Sequence, residues 1–121
     1  MAIDYTIDGE RGVVLTNASG PITVAEVLAH FKQLAADRAY RPHFDGLSDY
    51  TTATLSAATG EELRRLALAL PLEAPARRAI VVSNDLHFAF GRMVEMNRST
   101  PGIETRVFRN RAEAEAWLGL H

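Results

Sequence analysis

The sequence predicts an α/β fold: a mostly parallel sheet with helices packed on it and an antiparallel strand at its amino-terminal edge. Three observations carry that prediction. The stretch Arg78-Ala79-Ile80-Val81-Val82-Ser83-Asn84 holds four consecutive apolar residues between charge and small polar groups. A strand that is apolar throughout is comfortable only with layers on both faces, as in parallel sheets, and the branched Ile-Val-Val in so short a run disfavours a buried helix. Around it, stretches of strand character alternate with apolar residues at helical spacing, each such spacing introduced by a capping residue. A hairpin signal near the amino terminus supplies the antiparallel edge.

Taken in order, Ile3, Tyr5 and Ile7 alternate with Asp4, Thr6 and Asp8, the period of a half-buried strand that stops at Gly9. Asp8-Gly9-Glu10-Arg11-Gly12 offers a turn into the β-branched Val13-Val14-Leu15-Thr16, a second strand expected to break at Gly20-Pro21. Thr23 and Glu26 form a capping box, flanked by Ile22 and Val27 as a hydrophobic staple. Val24, Val27, Leu28, Phe31, Leu34 and Ala35 then recur at helical spacing, and the helix is expected to end near Asp37. After Arg41-Pro42, His43 to Tyr50 reads as a third strand running out at Asp49, with Thr51 to Ala58 as a polar loop.

Thr59 and Glu62 repeat the capping box ahead of Leu63, Leu66, Ala67 and Leu70, and Pro71 ends that second helix. Ser83-Asn84-Asp85 caps a third helix carrying Leu86, Phe90, Met93 and Val94, closed by Pro101-Gly102. Thr105 to Phe108 is the last strand, and Asn110 with Glu113 opens a final helix of Ala112, Ala116, Trp117 and Leu120. The predicted order is ββαβαβαβα over one domain, residues 1–121, with no internal linker or repeat.

A chain of 121 residues with 47% hydrophobic and 23% charged side chains is sufficient for one ordinary core without a metal or disulfide. Thirteen basic against fifteen acidic residues, a net charge of -2, exert no pull on nucleic acid. The absence of cysteine excludes thiolate metal sites and thiol nucleophiles. The opening Met1-Ala2-Ile3-Asp4-Tyr5 lacks the basic and apolar regions of a leader, and no apolar run approaches membrane-spanning length, so a cytoplasmic protein without membrane insertion is expected. The four histidines show no metal-ligand spacing, and no phosphate-cradling or nucleotide-binding glycine loop follows a strand; no cofactor is expected.

The element order, together with the opening Ile3-Asp4-Tyr5 hairpin, Gly20-Pro21-Ile22-Thr23-Val24-Ala25-Glu26, Phe44-Asp45-Gly46-Leu47-Ser48-Asp49, and Arg106-Val107-Phe108 ahead of Ala114-Glu115-Ala116-Trp117-Leu118, resembles the STAS domain and its SpoIIAA-like relatives across nearly the whole chain. That resemblance implies a non-enzymatic regulatory or binding domain acting on a protein partner or on itself as a homodimer. It also implies a phospho-switch, carried in the best-known relatives by an Asp-Ser-Ser-Gly-like phrase at the helix after the third strand. Here that stretch reads Leu55-Ser56-Ala57-Ala58-Thr59-Gly60, so Ser56 and Thr59 are the candidate phosphorylation sites without the Asp-Ser pair. The fold's likeness to lipid-binding domains implies, as an alternative, a carrier of a small apolar ligand.

Two further clusters are candidates. Ser48-Asp49-Tyr50 and Ser83-Asn84-Asp85 end predicted strands, the edge where α/β sheets place ligands, and His87 and Arg92 border the same edge. A catalytic role would rest on Asp49, Ser83, Asp85 and His87, whereas capping alone accounts for Asp49, Asn84 and Asp85. Phe88, Phe90, Met93 and Met96 exceed one narrow apolar stripe and suggest a pocket or an interface as well as core.

Overall fold

The computed structural model describes residues 2–55, 59, 61–62, 65–66, 69, 76–83, 91 and 102–120. The predicted third helix, with Phe88, Phe90, Met93 and Met96, lies outside the described residues. Strands β1 (Ile3–Asp8), β2 (Val13–Ile22), β3 (Asp45–Leu55), β4 (Ala76–Val81) and β5 (Ile103–Phe108) form one sheet in that consecutive order. β1 pairs antiparallel with β2 and every other pair is parallel, which is the predicted mixed sheet with its antiparallel edge.

Consecutive order means that each crossover steps the same way across the sheet, and crossovers of one hand then share a face. Helix α1 (Val24–Ala35), which joins β2 to β3, packs on the face presenting Ala18, Tyr50, Ile80 and Val82. Leu66, on the next crossover, is buried in that same cluster. The carboxyl-terminal helix α2 (Arg111–Leu118) is not a crossover and covers the opposite face, where Ala114 and Leu118 meet Leu47, Ala79 and Val81. The run through Val82 is therefore covered on both sides, as its uninterrupted apolar character predicts.

The caps form as the sequence indicates. Thr23 Oγ1 accepts the Glu26 N–H and Glu26 Oε1 accepts the Thr23 N–H, each at 3.2 Å. Asn110 Oδ1 accepts the Glu113 N–H at 3.3 Å, and Gly119 ends α2 in the left-handed region at φ 75°. Arg77 fastens that end to the sheet, donating to the carbonyls of Trp117 at 2.8 Å and Leu118 at 3.3 Å while pairing with Asp45 at 3.1 Å. Among the described residues no helix is long and apolar enough to cross a membrane.

Two strands run further than the sequence suggests. β2 continues through Gly20-Pro21 to Ile22. The Ser19 N–H points at Ala2 of the β1 segment, N–H groups two residues apart leave the same edge of a strand, and β1 pairs no further than Ala18, so Pro21 lacks its donor where no ladder bond is required. β3 does not end at Asp49 but continues to Leu55, because Thr51, Thr52 and Thr54 suit a pleated surface better than their polarity implies. Between Asn17↔Asp49 and Ser19↔Thr52 the register shifts, β3 supplying one more residue than β2. Asp49 Oδ1 accepts both the Thr51 N–H at 3.0 Å and the Thr51 hydroxyl at 2.7 Å, so the bulge is served by a side chain. The extra residue reverses the alternation, and Ala53 buries on the same face as Tyr50.

Truncating the doubly covered strand is expected to be costly: Ile80→Ala should lower stability by about 2–5 kcal/mol in urea denaturation. Thr6→Ala on the exposed face of β1 should change it by no more than about 0.5 kcal/mol.

Candidate functional site

The sheet register assembles a polar patch under α1. Side chains of partnered residues in parallel strands point the same way, so Val14, Gly46 and Arg78 form one row across β2, β3 and β4, and Thr16, Ser48 and Ile80 the next. Thr16, Ser48 and Arg78 are buried polar residues on a face otherwise devoted to core. His30, Phe31 and Leu34 of α1 cover them, with Tyr40 and Phe44 closing the side. These residues line a half-open cavity of about 30 Å³, room for roughly two waters. Gly46 contributes no side chain to the middle of its row, and a Cβ there would meet nothing within 4 Å.

Neighbouring arginines on β4 meet opposite circumstances because successive side chains leave opposite faces. Arg77 faces α2 and has the carboxylate of Asp45 and two helix-end carbonyls. Arg78 faces α1 and is 6% exposed. Its guanidinium lies over the Phe31 ring, 5.1 Å from the centroid, and its Nε is buried without a hydrogen-bond partner among the described residues. Burial works against the charge, and the phenols of Tyr50 and Tyr40 work for it. No ion pair to Arg78 forms among the described residues; Asp45, which also lines the cavity, is engaged with Arg77.

His30 packs between the rings of Tyr5, at 5.4 Å, and Phe31, at 5.8 Å. Burial, and next the positive charge of Arg78, push its pKa down to about 4. At neutral pH it is an uncharged imidazole.

Among the described residues, those singled out from sequence divide between the two faces of the sheet. Ser48 and Tyr50 are buried on the α1 face. Asp49, between them, points to the α2 face, where Arg111 reaches it at 3.3 Å. Burial opposes ionisation of Asp49, but hydrogen bonds from Thr51 and Arg111 outweigh it and hold the carboxyl below the usual range. All three sit inside β3 rather than at its end, since the strand runs on to Leu55. Ser83 is half-buried just past β4. Asn84, Asp85, His87, Arg92 and Ser56 lie outside the described residues. Thr59 and Glu62 exchange hydrogen bonds at 3.1 Å in each direction, the capping box. The consecutive strand order also has no reversal, the feature that opens a ligand crevice at the carboxyl edge of doubly wound sheets.

Sequence reasoning passed over Arg78, His30 and Thr16. For Arg78 the signal lies in parity: it alternates in phase with Ile80 and Val82, so an inward Ile80 requires an inward Arg78. His30 likewise stands three residues after Val27 on the apolar stripe of α1.

The lowered pKa of His30 has a definite pH signature. Between its ordinary 6.5 and about 4 the unfolded chain binds the proton and the native chain does not, so stability is full above pH 6.5 and falls toward pH 4. Urea midpoints across that window should reveal a loss of up to about 3 kcal/mol, and His30→Gln should flatten it.

No family model matches the chain, and neither does any curated protein. Among solved structures it is similar to an uncharacterised protein of the DUF3478 family with a SpoIIAA-like fold from Shewanella loihica PV-4. The likeness extends over 97% of this chain and 94% of that one, at 22% identity and a TM-score of 0.59. The mixed sheet, its antiparallel edge and the covering helices are thus those of a SpoIIAA-like α/β fold.

Proposed function

We propose that this chain is a non-enzymatic binding domain that holds a small molecule under α1. The observation that carries the reading is the half-open cavity beside Arg78, whose polar groups are suited to retaining a ligand and poorly suited to transforming one. A guanidinium stays protonated and orients what it holds without exchanging protons. An imidazole with a pKa of about 4 is a weak base at neutral pH, far from the match that proton transfer needs. The Ser48 and Thr16 hydroxyls therefore lack an activating partner in His30. The resemblance to STAS domains adds a regulatory setting, in which a protein partner in the cytoplasm reads the occupied state.

The apolar-carrier alternative fits these dimensions less well. Ligand pockets for molecules of drug size run to about 300 Å³ or more, against the 30 Å³ available here. A groove of 440 Å³ between β1 and α1 is large enough, but Asp4, Gln33 and Asp37 are among its walls, and a hydrocarbon chain gains little against carboxylates.

Thermal unfolding of the full chain against a panel of small neutral, anionic and cationic organic compounds tests the reading. At least one is expected to raise the melting temperature saturably and to be recovered chemically unchanged by mass spectrometry. A panel without any stabilising member, or a ligand recovered as a different compound, overturns it.

A further inference from the structure

Resting on that reading of the cavity, we propose that Arg78 is the receptor for the carboxylate of a small organic acid. The free Nε is the central observation. A guanidinium presents the Nε–Nη edge as a flat pair of donors whose spacing matches the two oxygens of a carboxylate. Here the Nε–H is buried and unbonded on a side chain that lines the cavity. The local charge balance points the same way. A cation withdrawn from water is costly unless paired, and among the described residues the one carboxylate on the cavity wall, Asp45, already has both oxygens on Arg77, through its backbone N–H at 2.9 Å and its guanidinium at 3.1 Å. The Phe31 ring relieves part of the cost but contributes no anion.

The remaining walls fit the same ligand. Thr16 and Ser48 bring hydroxyls that can donate to an acceptor-only group. Val14, Leu34 and Phe44 provide apolar surface for one or two carbons beyond it. Space for roughly two waters matches the two oxygens of a carboxylate. That space exists because Gly46 stands beside Arg78 in the register. Gly46 does not have a positive φ, and a Cβ there meets nothing within 4 Å, so alanine at this position would occupy the cavity without straining the backbone.

The test is a calorimetric titration of the full chain with acetate, acetamide and chloride at constant ionic strength, repeated on Gly46→Ala and Arg78→Met. Acetate should bind saturably and at least about tenfold tighter than either acetamide or chloride. Gly46→Ala should weaken acetate by at least about tenfold with the unliganded melting temperature preserved, and Arg78→Met should abolish the preference for acetate over acetamide. Should Arg78→Met fail to fold, the acetate-to-acetamide ratio and the Gly46→Ala variant decide. Equal binding of acetate and acetamide overturns the carboxylate assignment and leaves the binding-domain reading standing, as does stabilisation by neutral compounds alone. Equal binding of acetate and chloride overturns it too, making the site one for any small anion. If no organic compound binds and the cavity takes only water, both fall.

Discussion

Strand β4 has no solvent side. From Ala76 to Val82 each residue is committed to one of two cores, one roofed by α1 and the other by α2, and only Arg77 keeps substantial contact with water. That constraint explains why the most apolar run of the chain sits where it does and why both helical layers converge on it. It also explains the odd pair at its start. A sheet placed between two layers gives a charged residue no neutral direction, so each arginine needs a local answer. Arg77 finds one in Asp45 and the open carbonyls of α2, where a cation is doubly favoured by hydrogen bonding and by the helix dipole. Arg78 finds an aromatic face and phenols.

The contrast matters because the two answers differ in completeness. A carboxylate and carbonyls saturate Arg77 on several of its donors, which makes it a fastening between sheet and helix. Arg78 retains an unsatisfied donor next to open volume. Polar groups arranged in that way are exceptions in folded proteins, where buried donors are nearly always bonded. The exception here lies on the same face as two buried hydroxyl residues, Thr16 and Ser48, and beside a missing side chain at Gly46. A core optimised for packing alone would place apolar side chains at all four positions.

Much of the architecture is legible in the sequence because it is written in local chemistry. The three capping arrangements at Thr23, Thr59 and Asn110 each form the hydrogen bonds their residue types imply, and the apolar run predicts its own two-sided cover. Strand ends are harder to read. Pro21 looks like a stop until the neighbouring strand is known to finish short of it, and the threonines after Asp49 look like a loop until β2 is there to pair with them. The cavity is harder still. Its walls come from β2, β3, β4, α1 and the segment after it, so no contiguous phrase announces it. The Ser48-Asp49-Tyr50 phrase reads as a unit along the sequence, yet alternation divides it between opposite faces.

The bulge in β3 carries a consequence for how this fold tolerates change in length. Upstream of it, even-numbered positions of β3 look inward under α1; downstream, odd-numbered Ala53 does, in one cluster with Tyr50. Losing Thr51 alone would remove the bulge and leave Asp49, Tyr50, Thr52 and Ala53 in plain alternation, with Tyr50 and Ala53 still facing α1. Losing both Tyr50 and Thr51 would reverse the phase, turning Thr52 inward and Ala53 outward. Shortening by one residue is therefore accommodated at the bulge and nowhere else in this strand, and Asp49, which holds the Thr51 amide, marks the place.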